Sequence, residues 1–157
     1  FIQKTGIVTA MVGLLQAPTG TRLYERLKKE GRLLGRMTGD NADGSTNIIP
    51  NNMDADMFRE GYKKILKHIY SPENYYKRIM TFFKEYKAPK IKGKITLDHI
   101  LGLITSIYHL GILGKERGQF WHLLFWTTLH RRELFPLAVT LAVYGHHFRK
   151  VSELHVL

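Results

Sequence analysis

Apolar residues fill both faces of Gly6-Ile-Val-Thr-Ala-Met-Val-Gly-Leu-Leu15, and the pattern breaks at Gln16-Ala-Pro-Thr-Gly-Thr21 before an amphipathic stretch begins at Arg22. A run that is apolar on both sides predicts a strand inside a mostly parallel sheet, and the Pro18, Gly20, Thr21 turn predicts the helix that follows it. A lone strand leaves N–H and C=O groups unpaired along both edges unless neighbours exist. No second convincing strand is legible downstream. The pattern therefore predicts the tail of a larger protein.

From Thr21 onward the periodicity is helical. Residues 54–70 place Met57, Phe58, Tyr62, Ile65, Leu66 and Ile69 on one face behind an acidic N-cap, Asp54. Ser71-Pro72-Glu73 supplies a cap, a preset first helical residue and an acidic first turn, opening a helix through Tyr86 with Tyr76, Ile79, Met80 and Phe83 inward. These two helices are expected to form a hairpin. Residues 88–95 are basic and are punctuated by Pro89 and Gly93, which marks an internal boundary.

After that linker, residues 96–113, 119–130 and 134–148 are apolar around most of their circumference, so they are buried by neighbours or face lipid. A span needs about 20 mostly apolar residues. These runs are shorter and are interrupted by Asp98, Lys115, Glu116, Arg117, Arg131, Arg132 and Glu133, so a packed three-helix layer is predicted. Gly102 and Gly111 each cost about 1 kcal/mol against Ala in a helix, which close helix contact would offset.

Composition sharpens this only in part. A chain of 157 residues, 44% hydrophobic, can bury about 70% of its extended surface in one core. It has no cysteine, so no disulfide framework, and a reducing cytoplasm is the expected compartment, with attachment at the membrane surface as a variant. It starts at Phe1, and no signal-peptide pattern follows.

The block 6–33 also resembles the last strand and closing helix of the radical S-adenosylmethionine barrel, through its Pro18-Thr-Gly-Thr21 turn, its Leu23-Tyr-Glu25 helix start and its Gly31-Arg-Leu33 exit. More specifically, residues 1–15 and Thr38-Gly-Asp-Asn-Ala-Asp-Gly-Ser-Thr-Asn-Ile-Ile-Pro50 resemble the C-terminal region of cobalamin-binding radical S-adenosylmethionine proteins, where a helical domain of unknown function follows the barrel. The likeness covers nearly the whole chain and is strongest through Pro72.

That resemblance implies a parent enzyme with S-adenosylmethionine, a 4Fe-4S cluster and cobalamin. Reductive cleavage of S-adenosylmethionine to a carbon radical and, often, methyl transfer to an unactivated carbon would be its chemistry. The cluster's Cys-x-x-x-Cys-x-x-Cys loop is absent here, since the chain has no cysteine. The implied partners are the barrel and cobalamin-binding domains of the same protein. By analogy with the barrel's last strand, Val12, Leu14 and Leu15 would pack beside the adenine and Gln16 would reach a polar edge of the cofactor. Thr19 departs from the pattern, because many relatives of the barrel carry Pro or Arg there.

Residues 36–53 form the longest polar stretch, and two readings stand: a loop returning over the barrel mouth with Asp40, Asn41, Asp43 and Asn47 as ligand-facing groups, or a connector of Asx turns. The calcium-loop spacing fails, with Ala42 at its third position and no Glu at its twelfth. Eight histidines are present, but no pair has the one-turn spacing of a zinc helix, so structural or solvent-edge histidines are expected and no metal or catalytic residue is assigned.

The net charge of +11 creates a field that attracts anionic lipid or nucleic acid, yet no recognition module accompanies it, so no specific nucleic acid is expected. The aromatic wealth of Phe120, Trp121, Phe125, Trp126, Phe135 and Tyr144 reads as core or as a groove for a hydrophobic, lipid-like substrate.

The expected fold is mainly α, a bundle of five to six helices with one N-terminal strand left over from a truncated β/α barrel. Residues 1–35 would be the barrel's last strand and closing helix. Residues 36–157 would be a helical accessory domain, with loop 36–53, helical hairpin 54–87, linker 88–95 and apolar helices 96–155. The expected function is an accessory domain of a cobalamin-dependent radical S-adenosylmethionine enzyme, a methyltransferase among the options, silent in isolation. The alternative is a basic helical module that docks a membrane surface, nucleic acid or partner protein. A homodimer through the orphan strand is a further expectation.

Overall fold

The computed structural model describes residues 1–39, 44–88 and 96–155. Among them are seven α-helices: α1 (Ile2–Thr5), α2 (Arg22–Lys29), α3 (Ala55–Tyr70), α4 (Pro72–Glu85), α5 (Leu97–Ser106), α6 (Arg117–His130) and α7 (Phe135–His155). A π-helical segment, Ile107–Ile112, continues α5, and a 3₁₀ turn, Arg132–Leu134, precedes α7. The chain divides into two compact units, residues 1–10 with 69–149, and residues 11–68 with 150–157.

In the first unit, α4 supplies the core. Ser71 caps it by accepting from the Asn74 N–H, Pro72 sits in the first turn, and Tyr75, Tyr76, Arg78, Ile79 and Phe83 are buried. Gly145 of α7 lies directly on Tyr75, since a Cβ there would come within 2.2 Å of the ring. The Tyr75 hydroxyl donates to the Leu141 carbonyl at 2.8 Å, which ties the same two helices by a polar bond. Arg131 donates to the carbonyls of Phe83 and Tyr86 at 3.0 and 2.9 Å, closing the C-terminal end of α4, where carbonyls lack helical partners. A Cβ on Gly111 in the π-helical segment would come within 3.2–3.3 Å of Phe120 and Trp121, and Trp121 Nε1 donates to its carbonyl at 3.0 Å. Close helix contact therefore does accompany Gly111. It does not accompany Gly102, which faces open space.

The apolar helices are not uniformly buried. Of α5 only Ser106 is buried, while Leu97, Leu101 and Ile104 are exposed. The packed three-helix layer is thus incomplete on its α5 side, because an all-round apolar helix has been covered on one side only.

In the second unit, the Thr21 hydroxyl accepts from the Tyr24 N–H and starts α2, which buries Leu27. A single antiparallel bridge, Leu33 with Ile48, pins the segment after α2 to the end of the polar loop. On α3, Tyr62 and Leu66 are buried as their spacing predicts, but Met57 and Ile65 are exposed.

The N-terminal strand is the main correction. Residues 2–5 are helical, and residues 7–16 form neither helix nor ladder, with the Leu33–Ile48 bridge the one isolated pairing among the described residues. Burial nevertheless alternates with the two-residue period of an extended chain: Val8, Leu14 and Gln16 are buried, and Ile7, Met11 and Leu15 are exposed. The physical reason for the missing strand is the absence of a neighbour, and side chains take over the carbonyls instead. In the first unit Arg78 donates to Val8 and the Tyr70 hydroxyl to Ala10. In the second the Tyr62 hydroxyl donates to Val12 at 2.9 Å.

Candidate functional site

The sequence-predicted site residues that are described lie in the second unit, where segment 12–17 meets the polar loop. Gln16 and Asn47 are both buried, and the fold brings them into one polar knot. The Gln16 amide donates to the hydroxyls of Thr38 (3.1 Å) and Ser45 (3.3 Å), while its Oε1 accepts the Thr38 N–H at 3.1 Å. Asn47 accepts the Ala17 N–H at 2.8 Å and donates to the Ala17 and Gly35 carbonyls at 3.0 and 3.3 Å. The Thr46 hydroxyl donates to the Leu15 carbonyl at 2.6 Å.

These bonds satisfy backbone groups that would otherwise be buried unpaired, so they fasten the loop to the segment beside it. Leu14 is buried behind the knot, Val12 is half-buried, and Leu15 is exposed. Asp40, Asn41 and Asp43 lie outside the described residues.

A cleft of about 300 Å³ adjoins the loop, lined mainly by Leu34, Ile48, Ile49, Pro50, Met53 and Phe58, with Asp54 and Arg59 as its charged groups. That volume sits at the low end for small-molecule sites and suits an apolar group of modest size. Residues 46–59 supply most of its wall, immediately after Asn47 has fixed the loop.

The first unit holds two polar arrangements that the spacing of residues does not announce. Glu116, 1% exposed, accepts from Arg149 Nη2 on both oxygens (2.6 and 2.7 Å) and has His146 Nδ1 at 2.7 Å from Oε1. Burial works to raise the Glu116 pKa, but the hydrogen bonds from Arg149 and His146 outweigh it and hold the carboxyl below its usual range. Near this pair the Tyr76 hydroxyl is buried without a hydrogen-bond partner among the described residues, and burial first, then the Glu116 charge, pushes its pKa upward. His146 and Arg149 stand three apart on α7, a legible signal; that their partner is Glu116, 30 and 33 residues earlier, is not.

The second arrangement surrounds Arg78, a fully buried cation. Its Nη1 donates to Gln3 Oε1 at 2.9 Å, Gln3 in turn donates to the Asn74 carbonyl, and the guanidinium lies 5.3 Å from the Tyr75 ring centre. Burial lowers its pKa. A cation held by neutral oxygens and a ring is a packing solution for the N-terminal residues, which it fastens to α4.

Among the described residues no group of three His, Cys, Asp or Glu side chains is placed to hold a metal ion, and no helix is long and apolar enough to cross a membrane. These 157 residues carry no cysteine and so offer no thiolate ligand to an iron-sulfur cluster.

Comparison with known proteins now adds a family. Residues 21–156 match the model of a domain of unknown function, DUF4070, and the chain belongs to that family. It is also 31% identical over 158 residues to a protein of Synechocystis sp. named an uncharacterized methyltransferase. That match covers 98% of this chain and 29% of the relative, so the chain spans under a third of the length of the curated relative it matches. No solved structure matches it.

Proposed function

From membership in this domain family, we propose that the chain is the helical accessory part of a methyltransferase-like protein of the cobalamin-dependent radical S-adenosylmethionine class, and is catalytically silent by itself. The single observation that carries this reading is the strand-like segment 7–16. Its burial alternates with a period of two, yet it pairs with no other strand among the described residues, and side chains of Arg78, Tyr70 and Tyr62 hold its carbonyls. A segment with that pattern fits a sheet supplied by other parts of a longer protein. The name of the Synechocystis relative, and its much greater length, support the same reading.

The proposed partners are therefore the barrel and cobalamin-binding domains of the same protein, with pairing of two copies through segment 7–16 as the competing arrangement. In the assembled enzyme, exposed Leu15 and half-buried Val12 would offer apolar surface to the adenine. Leu14 and Gln16 would hold that stretch in place from behind. When bound, S-adenosylmethionine and the cluster would supply radical chemistry; the residues of this chain would only shape and exclude water from one wall. The apolar cleft beside the loop supports a hydrophobic or lipid-like substrate, and the absence of cysteine supports a reducing, cytoplasmic location.

The test is the coding sequence upstream of Phe1. A Cys-x-x-x-Cys-x-x-Cys loop and a cobalamin-binding region there are expected; an upstream frame without the cysteine triplet would overturn the class.

A further inference from the structure

The helix α5 and the π-helical segment after it are fixed on one side and bare on the other. Ser106, Leu110 and Gly111 are buried, the last against Phe120 and Trp121 of α6. On the opposite side Leu97, Leu101, Ile104, Tyr108 and Ile112 follow one another at helical spacing, and each is more than half exposed. Exposure here is not fraying, because the inner stripe is anchored, including the Trp121 bond to the Gly111 carbonyl. A contiguous apolar stripe of this length on a charged chain marks an interaction surface.

The charges around the stripe say what covers it. Between Leu97 and Arg132 the carboxylates are Asp98, exposed in the first turn of α5, and Glu116, which is 1% exposed and ion-paired with Arg149. The other exposed charged side chains over that stretch are Lys115, Arg117 and Arg132, so cations outnumber the one exposed carboxylate three to one. Tyr108 in the stripe adds the amphipathic aromatic surface favoured at a lipid headgroup boundary. A second copy of a chain with net charge +11 would bring cations against cations. We propose that this face of α5 and the π-helical segment docks on an anionic membrane surface, with the aliphatic stripe entering the headgroup region and Lys115 and Arg117 meeting the lipid phosphates.

The proposal stands apart from the enzyme reading, since it concerns the first unit's outer face and needs no cofactor. It is tested by flotation of the 157-residue chain with phosphatidylcholine vesicles, with and without phosphatidylglycerol, at low and high salt. The chain is expected to float with the anionic vesicles at low salt and to be released by salt.

The paired change Leu101→Glu with Ile104→Glu, at exposed positions, is expected to abolish flotation while the helical circular-dichroism signal is kept. Lys115→Glu with Arg117→Glu is expected to weaken binding by at least about fivefold for each charge lost. Lys28→Glu with Lys29→Glu, on exposed positions of α2, serves as the control and is expected to change binding less than either. Absence of flotation with anionic vesicles at low salt overturns the proposal. So does a loss that follows the α2 control as strongly as the α5 pair. Sedimentation of the chain as a dimer that the α5 pair dissociates, without vesicle binding, would give the face to a second copy instead.

Discussion

The amide of Asn47 meets the peptide of Ala17 on both of its sides, accepting the N–H at 2.8 Å and donating to the C=O at 3.0 Å. One side chain thus occupies the position that a neighbouring strand would otherwise fill, and it does so at the point where segment 7–16 ends. Arg78, Tyr70 and Tyr62 do the same for the carbonyls of Val8, Ala10 and Val12. The segment keeps the burial rhythm of a strand because its side chains still alternate, but its backbone is satisfied by helices.

Removing that substitute ladder rung has a measurable cost. Asn47→Ala strands a buried N–H and C=O of Ala17, so urea denaturation is expected to show a loss of about 1–3 kcal/mol for each group left unpaired. Asn47→Asp keeps the acceptor but turns a carboxylate oxygen toward the carbonyls of Ala17 and Gly35 in a buried site, so at neutral pH its loss should be at least as large. Equal midpoints for Asn47→Ala and the parent chain would remove the structural role assigned to this side chain.

Two glycines on apolar helices should respond in opposite directions. Gly145→Ala drives a methyl group into the Tyr75 ring, where no more than 2.2 Å is free, and overpacking of this kind costs about 1–3 kcal/mol. Gly102→Ala meets open space on α5 and should stabilise by about 1 kcal/mol through helix propensity. Thermal unfolding of the two variants reads both signs at once.

How far the sequence carried can be judged residue by residue. Ser71 and Pro72 announced the start of α4 correctly, since capping is local and needs no partner from elsewhere in the chain. The burial of Tyr62, Leu66, Ile79 and Phe83 followed from helical spacing. Exposure of Leu101 and Ile104 did not, because an apolar pattern records what a helix can bury and not whether a neighbour is present to bury it. The strand over residues 6–15 failed for the same reason: alternation and apolarity are properties of the segment, whereas a ladder requires a second chain segment. Gln16 and Asn47 were singled out, and their junction with Thr38 and Ser45 emerged only in three dimensions. Glu116 with Arg149 and Gly145 with Tyr75 are pairs separated by 33 and 70 residues, and no local spacing signals them.

Acid should loosen the first unit through Glu116. Its folded-state pKa lies below the ordinary 4.5, so the unfolded chain binds the proton more readily. The pair with Arg149 therefore contributes stability that is fully present above 4.5 and is lost as pH falls through the lower folded value. Denaturation midpoints measured down the acid limb should fall less steeply in Glu116→Gln than in the parent. An unchanged slope would show that the carboxylate is not the titrating support.

The most direct measurement of the central claim is S-adenosylmethionine turnover by this chain alone and with the proposed barrel and cobalamin-binding domains supplied in trans, under reducing, anaerobic conditions. The account predicts no turnover by the isolated 157 residues, which carry no cysteine to hold a cluster, and turnover that appears when the proposed barrel and cobalamin-binding domains are added. Cleavage of S-adenosylmethionine by the purified chain on its own would contradict it.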